Sequence, residues 1–429
     1  MIRRARPALL VSLCGLAIAP GSASAAWSRP FDLSPPGTLD RLPVQIALGP
    51  PGALTAVFST ADVDTPGSAQ AYVVTRAAQG QVGPARAVNR AQEVLAISAG
   101  AGAPRLLTGS SPSGLDCCST VTAGRLRAGT ALTGSQTLVG GLTGRGQGRL
   151  VALAHGRMLA AVAAEGGVWA AESGPGGRFA ATHRLTGAAA QSLSAAALDG
   201  ENAVLAWTAA TGPAGHADPR AISYALAGHR SAPHAARTLL RAPPGHRIDE
   251  LVVAGRATRA TVAWIDGSFD RRGTDQNQVR AADLAAHPSV RAFPAGDGLA
   301  AGLSLASDPA GAQALVYKTC RVDGGCTIRV TTRSPASAFR AVTGLGPIDA
   351  AQTPAVAVSP RGRVIVGWIR DGHPVAAAGS AATGRFGPGR SLSPTLFAYD
   401  MTVADGAGGA IAAWTQGTLN PSVVGAAYR

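Results

Sequence analysis

Lysine is nearly missing from this sequence of 429 residues, because Lys318 is the single lysine and every other basic side chain is arginine. Charged residues are scarce at 14%, while apolar residues reach 46%, a composition that argues against intrinsic disorder. Aromatic residues make up only 4%. No basic run with interleaved aromatic residues occurs, so the sequence gives no support for specific nucleic-acid binding.

Several catalytic motifs are also missing. The sequence contains no G-x-S-x-G nucleophile elbow, no C-x-x-C pair and no glycine-rich phosphate loop before Lys318. Its histidines show neither H-x₃-H nor HExxH spacing. These absences exclude thioredoxin-like redox chemistry and a P-loop, and we expect neither a metal nor a cofactor.

A long apolar run occurs only at the N-terminus, over residues 8–19, and it is too short to span a membrane. Three arginines precede it, and an A-x-A cleavage pattern ends at Ala25. We therefore predict a signal peptide over residues 1–25, an exported, extracytoplasmic mature chain and no transmembrane segment. Loss of the three arginines lowers the formal net charge from +14 to +11.

From end to end the sequence repeats one short unit. It is clearest over residues 355–368, AVAVSPRGRVIVGW, where two apolar runs flank a Pro/Gly turn and the second run ends in Trp. Similar units end in an aromatic residue at Phe58, Trp207, Trp264, Tyr317, Trp368 and Trp414, with degenerate copies near Leu107 and Val162. Because the aromatic residue recurs at one phase, we predict that it packs in the core and is not a ligand contact.

Each unit is interpreted as four short strands. A third run alternates polar and apolar residues, as half-exposed strands do, and a weaker fourth run closes most units. Four strands at a period of about 40–60 residues are typical of a β-propeller. We predict an all-β, single-domain propeller of about eight blades over residues 27–429. If the degenerate unit at 94–140 is irregular, the ring has seven blades.

The two ends of the sequence predict how the ring closes. The last unit stops at Arg429 after its third strand, and residues 27–35 resemble the fourth-strand stretch at 384–394. We expect the N-terminal segment to pair with the last blade, which leaves no free sheet edge there.

The apolar strand, the D/P-x-G turn and the strand ending in Trp together resemble secreted bacterial β-propeller repeat proteins that have no assigned function. The resemblance covers essentially the whole mature chain and implies the fold. It implies little about activity, because propellers host many unrelated functions.

The loops between second and third strands vary most among the units. We expect them on one rim of the ring, where a rigid scaffold usually carries its binding residues. The candidate ligand-binding residues in these loops are Asp62, Asp64, Asp266, Asp270, Arg271, Arg272 and Asp275. The aspartates match no EF-hand spacing, so turn capping is the simpler interpretation of their carboxylates.

All four cysteines of the mature chain lie in these loops. Cys320 and Cys326 flank a glycine-containing turn, and facing positions on a hairpin in an exported protein predict a disulfide. Cys117 and Cys118 are adjacent in the sequence. They either join each other in a strained ring, remain free thiols or cross-link elsewhere.

We interpret the chain as a secreted, monomeric binding or scaffold module, and not as an enzyme. Its partner would be an anionic envelope polymer or an exported protein. The alternative is a glycan-acting hydrolase or lyase whose catalytic groups come from different blades. Two carboxylates about 5–10 Å apart beside arginines would favour that enzyme, whereas a mouth lined by small residues would favour binding.

Overall fold

The computed structural model describes residues 26–428 apart from a set of short gaps. The gaps are 35–43, 50–52, 61–69, 78–79, 89–90, 92, 100–102, 111–118, 128–131, 143–145, 211–218, 229–234, 257–258, 270–274, 286–287, 297, 323, 407–408 and 418–421. The one helical element in this part of the chain is a 3₁₀ turn at Ala154–Gly156. Among the described residues, no helix is long and apolar enough to cross a bilayer.

The fold is a β-propeller in which eight antiparallel, four-stranded sheets form the blades. Blade 1 contains β2 (Gln45–Gly49), β3 (Ala53–Thr60), β4 (Gln70–Arg76) and β5 (Arg86–Ala87). Blade 2 contains β6 (Glu93–Ser98), β7 (Arg105–Ser110), β8 (Thr120–Leu126) and β9 (Leu132–Gly140). Blade 3 contains β10 (Gln147–Ala152), β11 (Met158–Ala164), β12 (Gly167–Ser173) and β13 (His183–Thr186). Blade 4 contains β14 (Ala190–Ala197), β15 (Ala203–Ala210), β16 (Pro219–Ala227) and β17 (Arg237–Arg241).

The other four blades repeat this order, and the last one borrows its outer strand from the N-terminus. Blade 5 contains β18 (His246–Arg256), β19 (Arg259–Phe269), β20 (Asp275–Asp283) and β21 (Val290–Phe293). Blade 6 contains β22 (Leu299–Ser307), β23 (Gln313–Cys320), β24 (Cys326–Arg333) and β25 (Thr343–Ile348). Blade 7 contains β26 (Ala355–Val358), β27 (Arg363–Arg370), β28 (His373–Ser380) and β29 (Arg390–Ser391). Blade 8 contains β30 (Ala398–Gly406), β31 (Gly409–Gln416), β32 (Ser422–Tyr428) and β1 (Phe31–Asp32).

The first strand of each blade contacts the first strands of both neighbouring blades, and the circuit closes where β2 meets β30. These strands therefore line the centre of the ring. The degenerate unit forms the regular blade 2, so the ring has eight blades and the seven-blade alternative is wrong. Small residues dominate several inner strands, such as AQSLSAAA in β14, which allows close approach at the crowded axis.

In six of the eight blades, an aromatic residue near the end of the second strand packs against the preceding blade. Trp207 shares a core with Ala161 and Ala163 of blade 3, and Trp264 shares one with Val204 of blade 4. Trp207, Trp264, Trp368 and Trp414 are all at most 2% exposed. The prediction that these residues form the core is confirmed. Truncation of such a side chain typically costs about 3–5 kcal/mol of stability.

In alternate blades, a Gln or Glu side chain forms a hydrogen bond with the backbone of the first, inner strand of the following blade. The four contacts join Gln45 Nε2 to Val94 O (3.1 Å), Leu193 N to Gln147 Oε1 (3.0 Å), Gly302 N to Glu250 Oε1 (2.8 Å) and Asp400 N to Gln352 Oε1 (3.1 Å). Each partner lies at or beside a register shift in its strand. A bulge frees backbone groups from the ladder, and these side chains satisfy them. The spacing of 102 or 103 residues means that the chain repeats in pairs of blades.

The N-terminal strand closes the ring as predicted. In β1, Phe31 and Asp32 pair with Gly425 and Val424 of β32. Leu33 continues this edge, because its N–H donates to Val423 O at 2.7 Å and its side chain is 2% exposed. Blade 8 thus gains its fourth strand from the opposite end of the described chain.

Deletion of residues 26–36 is expected to lower the melting temperature by about 5 °C or more, because blade 8 loses an outer strand and the buried Leu33. Thermal unfolding followed by circular dichroism measures the shift. Substitution of the exposed Arg29 by Ala is the control and leaves the melting temperature unchanged. An unaltered melting temperature in the deletion variant would contradict the closure.

Candidate functional site

The two rims of the ring carry different connections. Because the strands of a blade alternate in direction, the loop from second to third strand and the link to the next blade share one rim, here called the upper rim. The turns from first to second strand and from third to fourth strand lie on the lower rim. The variable loops singled out from the sequence belong to the upper rim.

Asp266 is the predicted ligand-binding residue whose side chain the structure describes. The other predicted ligand-binding residues and two cysteines lie outside the described part of the chain, namely Asp62, Asp64, Asp270, Arg271, Arg272, the side chain of Asp275, and the cysteines Cys117 and Cys118. The placement of Asp266 in a loop was wrong, because β19 and β20 remain paired as far as Phe269 and Asp275. Asp266 lies inside β19 and is 6% exposed.

The Asp266 carboxylate joins the three strands that begin or end at the upper rim of blade 5. Its Oδ1 lies 2.9 Å from His246 Nδ1 at the start of β18. Its Oδ2 lies 3.0 Å from Arg280 Nε on β20. This second contact is an ion pair without hydrogen-bond alignment, since Arg280 Nε has no acceptor in line with it among the described residues. A buried carboxylate needs such compensation.

These three residues border a cavity of about 750 Å³ between blades 5 and 6. One wall carries the polar side chains of blade 5, which are Ser268, Gln276, Asn277 and Gln278 besides the Asp266 group. The other wall is formed by the link to blade 6, which includes Pro294, by Leu299 at the start of β22, and by Val322. The cavity therefore offers amide, hydroxyl and guanidinium groups on one side and apolar groups on the other.

The link that forms the second wall is fixed by a buried phenol. Tyr317 Oη donates to Pro294 O at 2.9 Å. Burial raises the pKa of Tyr317 to about 12, while nearby Arg329 acts in the opposite direction. The neutral hydroxyl is thus retained as the donor that positions this wall.

The predicted disulfide is present in the structure. Cys320 and Cys326 are paired opposite each other in β23 and β24, and their sulfur atoms are bonded. Between them the chain turns tightly, with Gly324 at φ +95°. Val322 at this tip is 96% exposed, so a cross-linked hairpin presents an apolar side chain beside the cavity.

Exposed large apolar side chains concentrate on the same rim. Those of the described residues are Val290 (45% exposed), Val322 (96%), Leu396 (48%) and Phe397 (58%). Leu396 and Phe397 lie in the link between blades 7 and 8. Phe397 has φ +66°, a conformation that an aromatic residue rarely adopts. Hydrogen bonds from Ala398 N to Gly372 O at 2.8 Å and from Gly417 N to Phe397 O at 3.0 Å hold this link in place.

The ionisable side chains that line this cavity, among the described residues, are paired with one another. Asp266 is the one carboxylate lining it in the described part of the chain, and His246 and Arg280 engage both of its oxygens. A glycosidase requires a second carboxylate at a defined distance. His246, Arg280 and Phe397 were not found from the sequence, because only strand register and backbone conformation reveal their roles.

Comparison with known proteins identifies the fold alone. No protein family and no curated protein matches the sequence. Among solved structures, a protein of unknown function from Dyadobacter fermentans is similar at 10% identity over 95% of this chain and 99% of that chain, with a TM-score of 0.45. Polysaccharide lyase Uly1 is similar at 7% identity over 92% and 90% of the two chains, with a TM-score of 0.50. Penicillium chrysogenum α-L-arabinanase is similar at 12% identity over 94% and 98%, with a TM-score of 0.41.

Mass spectrometry of unreduced proteolytic peptides is expected to show Cys320 linked to Cys326. Replacing both with Ser should cost about 2 kcal/mol or less, because the closed loop is short. The same spectra report the state of Cys117 and Cys118. Alkylation of all four mature cysteines without prior reduction would contradict the Cys320–Cys326 bond.

Tyr317→Phe is expected to remove a tyrosine ionisation at about pH 12. The wild-type protein should show tyrosinate absorbance growing until about pH 12. The pKa of Tyr317 in the folded state lies above the unfolded value of about 10. The neutral phenol therefore contributes its full stabilisation below about pH 10. This contribution is lost as the pH rises through about 12. At neutral pH the variant loses the Pro294 hydrogen bond, worth about 1 kcal/mol.

Tyr72→Phe is the matched control for this titration, because it also removes one tyrosine and leaves the Pro294 contact intact. It should retain the transition near pH 12. A late-ionising tyrosine that persists in Tyr317→Phe would overturn the assignment.

Proposed function

We propose that the protein is an exported binding module that holds a protein partner on the upper rim of blades 5 to 8. The observation that supports the proposal is that Val322, Leu396 and Phe397 are all exposed on the upper rim. Three of the four exposed large apolar side chains of the described residues lie on this one rim. Exposed apolar groups gathered on one surface mark interaction sites.

The anchors are rigid, which lowers the entropic cost of binding. A disulfide fixes the hairpin that carries Val322, and backbone hydrogen bonds fix the link that carries Phe397. The strained conformation of Phe397 supports a role outside folding, because an exposed ring gains little stability for the fold. Aromatic anchors dominate the energetics of many protein interfaces.

The cavity beside Val322 supplies the specificity of this interface. Its amide groups and the Arg280 guanidinium suit a polar or acidic side chain, or the backbone, of a polypeptide. Among the described residues that line it, none is Phe, Trp or Tyr, the side chains on which sugar rings stack. These features favour a polypeptide over a neutral glycan.

Export is part of the proposal. The N-terminal pattern that ends at Ala25 and the Cys320–Cys326 pair both support an extracytoplasmic, oxidising environment. The partner is then an exported protein. The ring itself acts as a scaffold that fixes the spacing of the anchors.

Phe397→Asp is expected to weaken partner binding about tenfold or more, as truncation of a buried anchor does. Partners are identified by cross-linking the immobilised protein to exported proteins of its source cells. Affinity for the purified partner is then measured by calorimetry. Val322→Asp should act in the same direction.

Val290→Asp is the matched control, because Val290 is 45% exposed but lies on the outer strand of blade 5. It should bind the partner as the wild type does. Equal binding by all three variants would overturn the proposal. So would saturable binding to a glycan array, or cleavage of a glycan, in the absence of any protein partner.

A further inference from the structure

The lower rim carries a cavity whose charged lining residues are all arginines, whereas Asp266 also lines the upper-rim cavity. This cavity of about 470 Å³ lies between blades 2 and 3 and is bordered by Arg105, Arg125 and Arg178. No Asp or Glu lines it in the described part of the chain. The neighbouring stretch 128–131 also contains no acidic residue. Three arginines thus line this cavity, and none of the described residues that line it carries a negative charge.

Arg105 is the least expected of the three. It is 6% exposed, and its one acceptor among the described residues is Gly177 O, at 2.6 Å from Nη1. A neutral carbonyl does not balance a buried positive charge. Desolvation and the neighbouring Arg125 both lower the pKa of Arg105.

Arg125 adds a second positive charge beside Arg105. It lies directly opposite Arg105 in the pairing of β7 with β8. Like charges at opposed positions of a sheet are unfavourable. Arg178 approaches from the turn of blade 3 that follows β12. Among the described residues that line the cavity, no carboxylate offsets the repulsion between these arginines.

Hydrogen bonds between blades 2 and 3 fix the walls of this cavity. Gln136 of blade 2 forms two hydrogen bonds with the backbone of Phe179 in blade 3, to its N–H at 3.0 Å and from Nε2 to its carbonyl at 2.9 Å. Gly177 adopts φ +85°, and a Cβ at this position would collide with the Arg105 guanidinium. Hydroxyl groups of Thr133 and Ser135 complete the lining.

We propose that this cavity binds a tetrahedral oxyanion, namely a phosphate or sulfate group. Guanidinium groups present paired N–H donors that match such oxygens. A second basic cavity of about 640 Å³ lies next to it between blades 1 and 2 and includes Arg76, Arg86 and Arg127. The two cavities together form a basic surface that attracts anionic groups carried on a polymer.

This inference is independent of the upper-rim partner, because the residues involved lie on the opposite rim. Inorganic phosphate and inorganic sulfate are the probes, titrated by calorimetry at constant ionic strength with chloride as the reference anion. The wild type should bind at least one of them saturably. Binding should also raise the melting temperature as the concentration of the anion increases.

The double variant Arg125→Gln/Arg178→Gln is expected to bind at least tenfold more weakly. Both residues are exposed, so the variant should fold, which its circular dichroism spectrum verifies. The exposed Arg237, which lies in blade 4, provides the control Arg237→Gln, and this variant should bind as the wild type does. Arg105→Gln tests the buried member and should also lose binding.

Phosphorylated and sulfated oligosaccharides of equal length distinguish a free anion from one carried by a polymer. A polymer-borne ligand should bind more tightly than the inorganic ion, and still depend on Arg125 and Arg178. Absence of saturable binding by the wild type would overturn the proposal. Equal affinities of the double variant and Arg237→Gln would do so as well, because binding would then reflect net charge.

Discussion

Radial packing of one blade on the next is the constraint on which the rest of this structure depends. A single four-stranded sheet cannot bury both faces, so each blade relies on its neighbours. The aromatic residue that ends a second strand, such as Trp207 or Trp264, fills the space against the preceding blade. The same requirement demands a closed ring, because the faces of an open one would remain exposed. Pairing of β1 with β32 supplies that closure, and the loops on both rims are then free to differ in sequence.

Four side chains, Gln45, Gln147, Glu250 and Gln352, tie alternate blades to the inner strand of the next blade, and we call these contacts the inner clasps. Three of the four clasps use Gln, whereas Glu250 accepts hydrogen bonds from the backbone of Gly302 and Leu303. The lone Lys318 lies nearby, where burial lowers its pKa and Glu250 raises it. Its ammonium donates to Gln352 O at 2.7 Å and to Ala350 O. Hydrogen bonds of charged side chains therefore link blade 5 to blade 6 and blade 6 to the link before blade 7, and the single lysine takes part in holding the blades together.

The fold followed from the sequence because its determinants are local. Alternation within a strand, a Gly or Asp turn and a phased aromatic residue lie within about 14 residues of each other. The Cys320–Cys326 bond was predictable for the same reason. The Asp266 group was not, because the pairing of Ile248 with Asp266 depends on a register shift before Leu251. The strain at Phe397 and the meeting of Arg105 with Arg178 depend on backbone conformation and on contact between blades, which no short segment encodes.

The buried charges on the two rims are compensated differently. This difference separates groups that stabilise the fold from groups that we assign to binding. On the upper rim, the Asp266 carboxylate is balanced within the chain by His246 and Arg280, so its position stabilises the cavity wall. On the lower rim, Arg105 is equally buried, yet no carboxylate of the described chain balances it. A folded protein of limited stability does not retain an uncompensated buried charge unless something offsets its cost. Strand pairing fixes Arg105 opposite Arg125 and so adds a second cation. The compensation that we propose is an anion from outside the chain, on a surface that leaves the upper rim free.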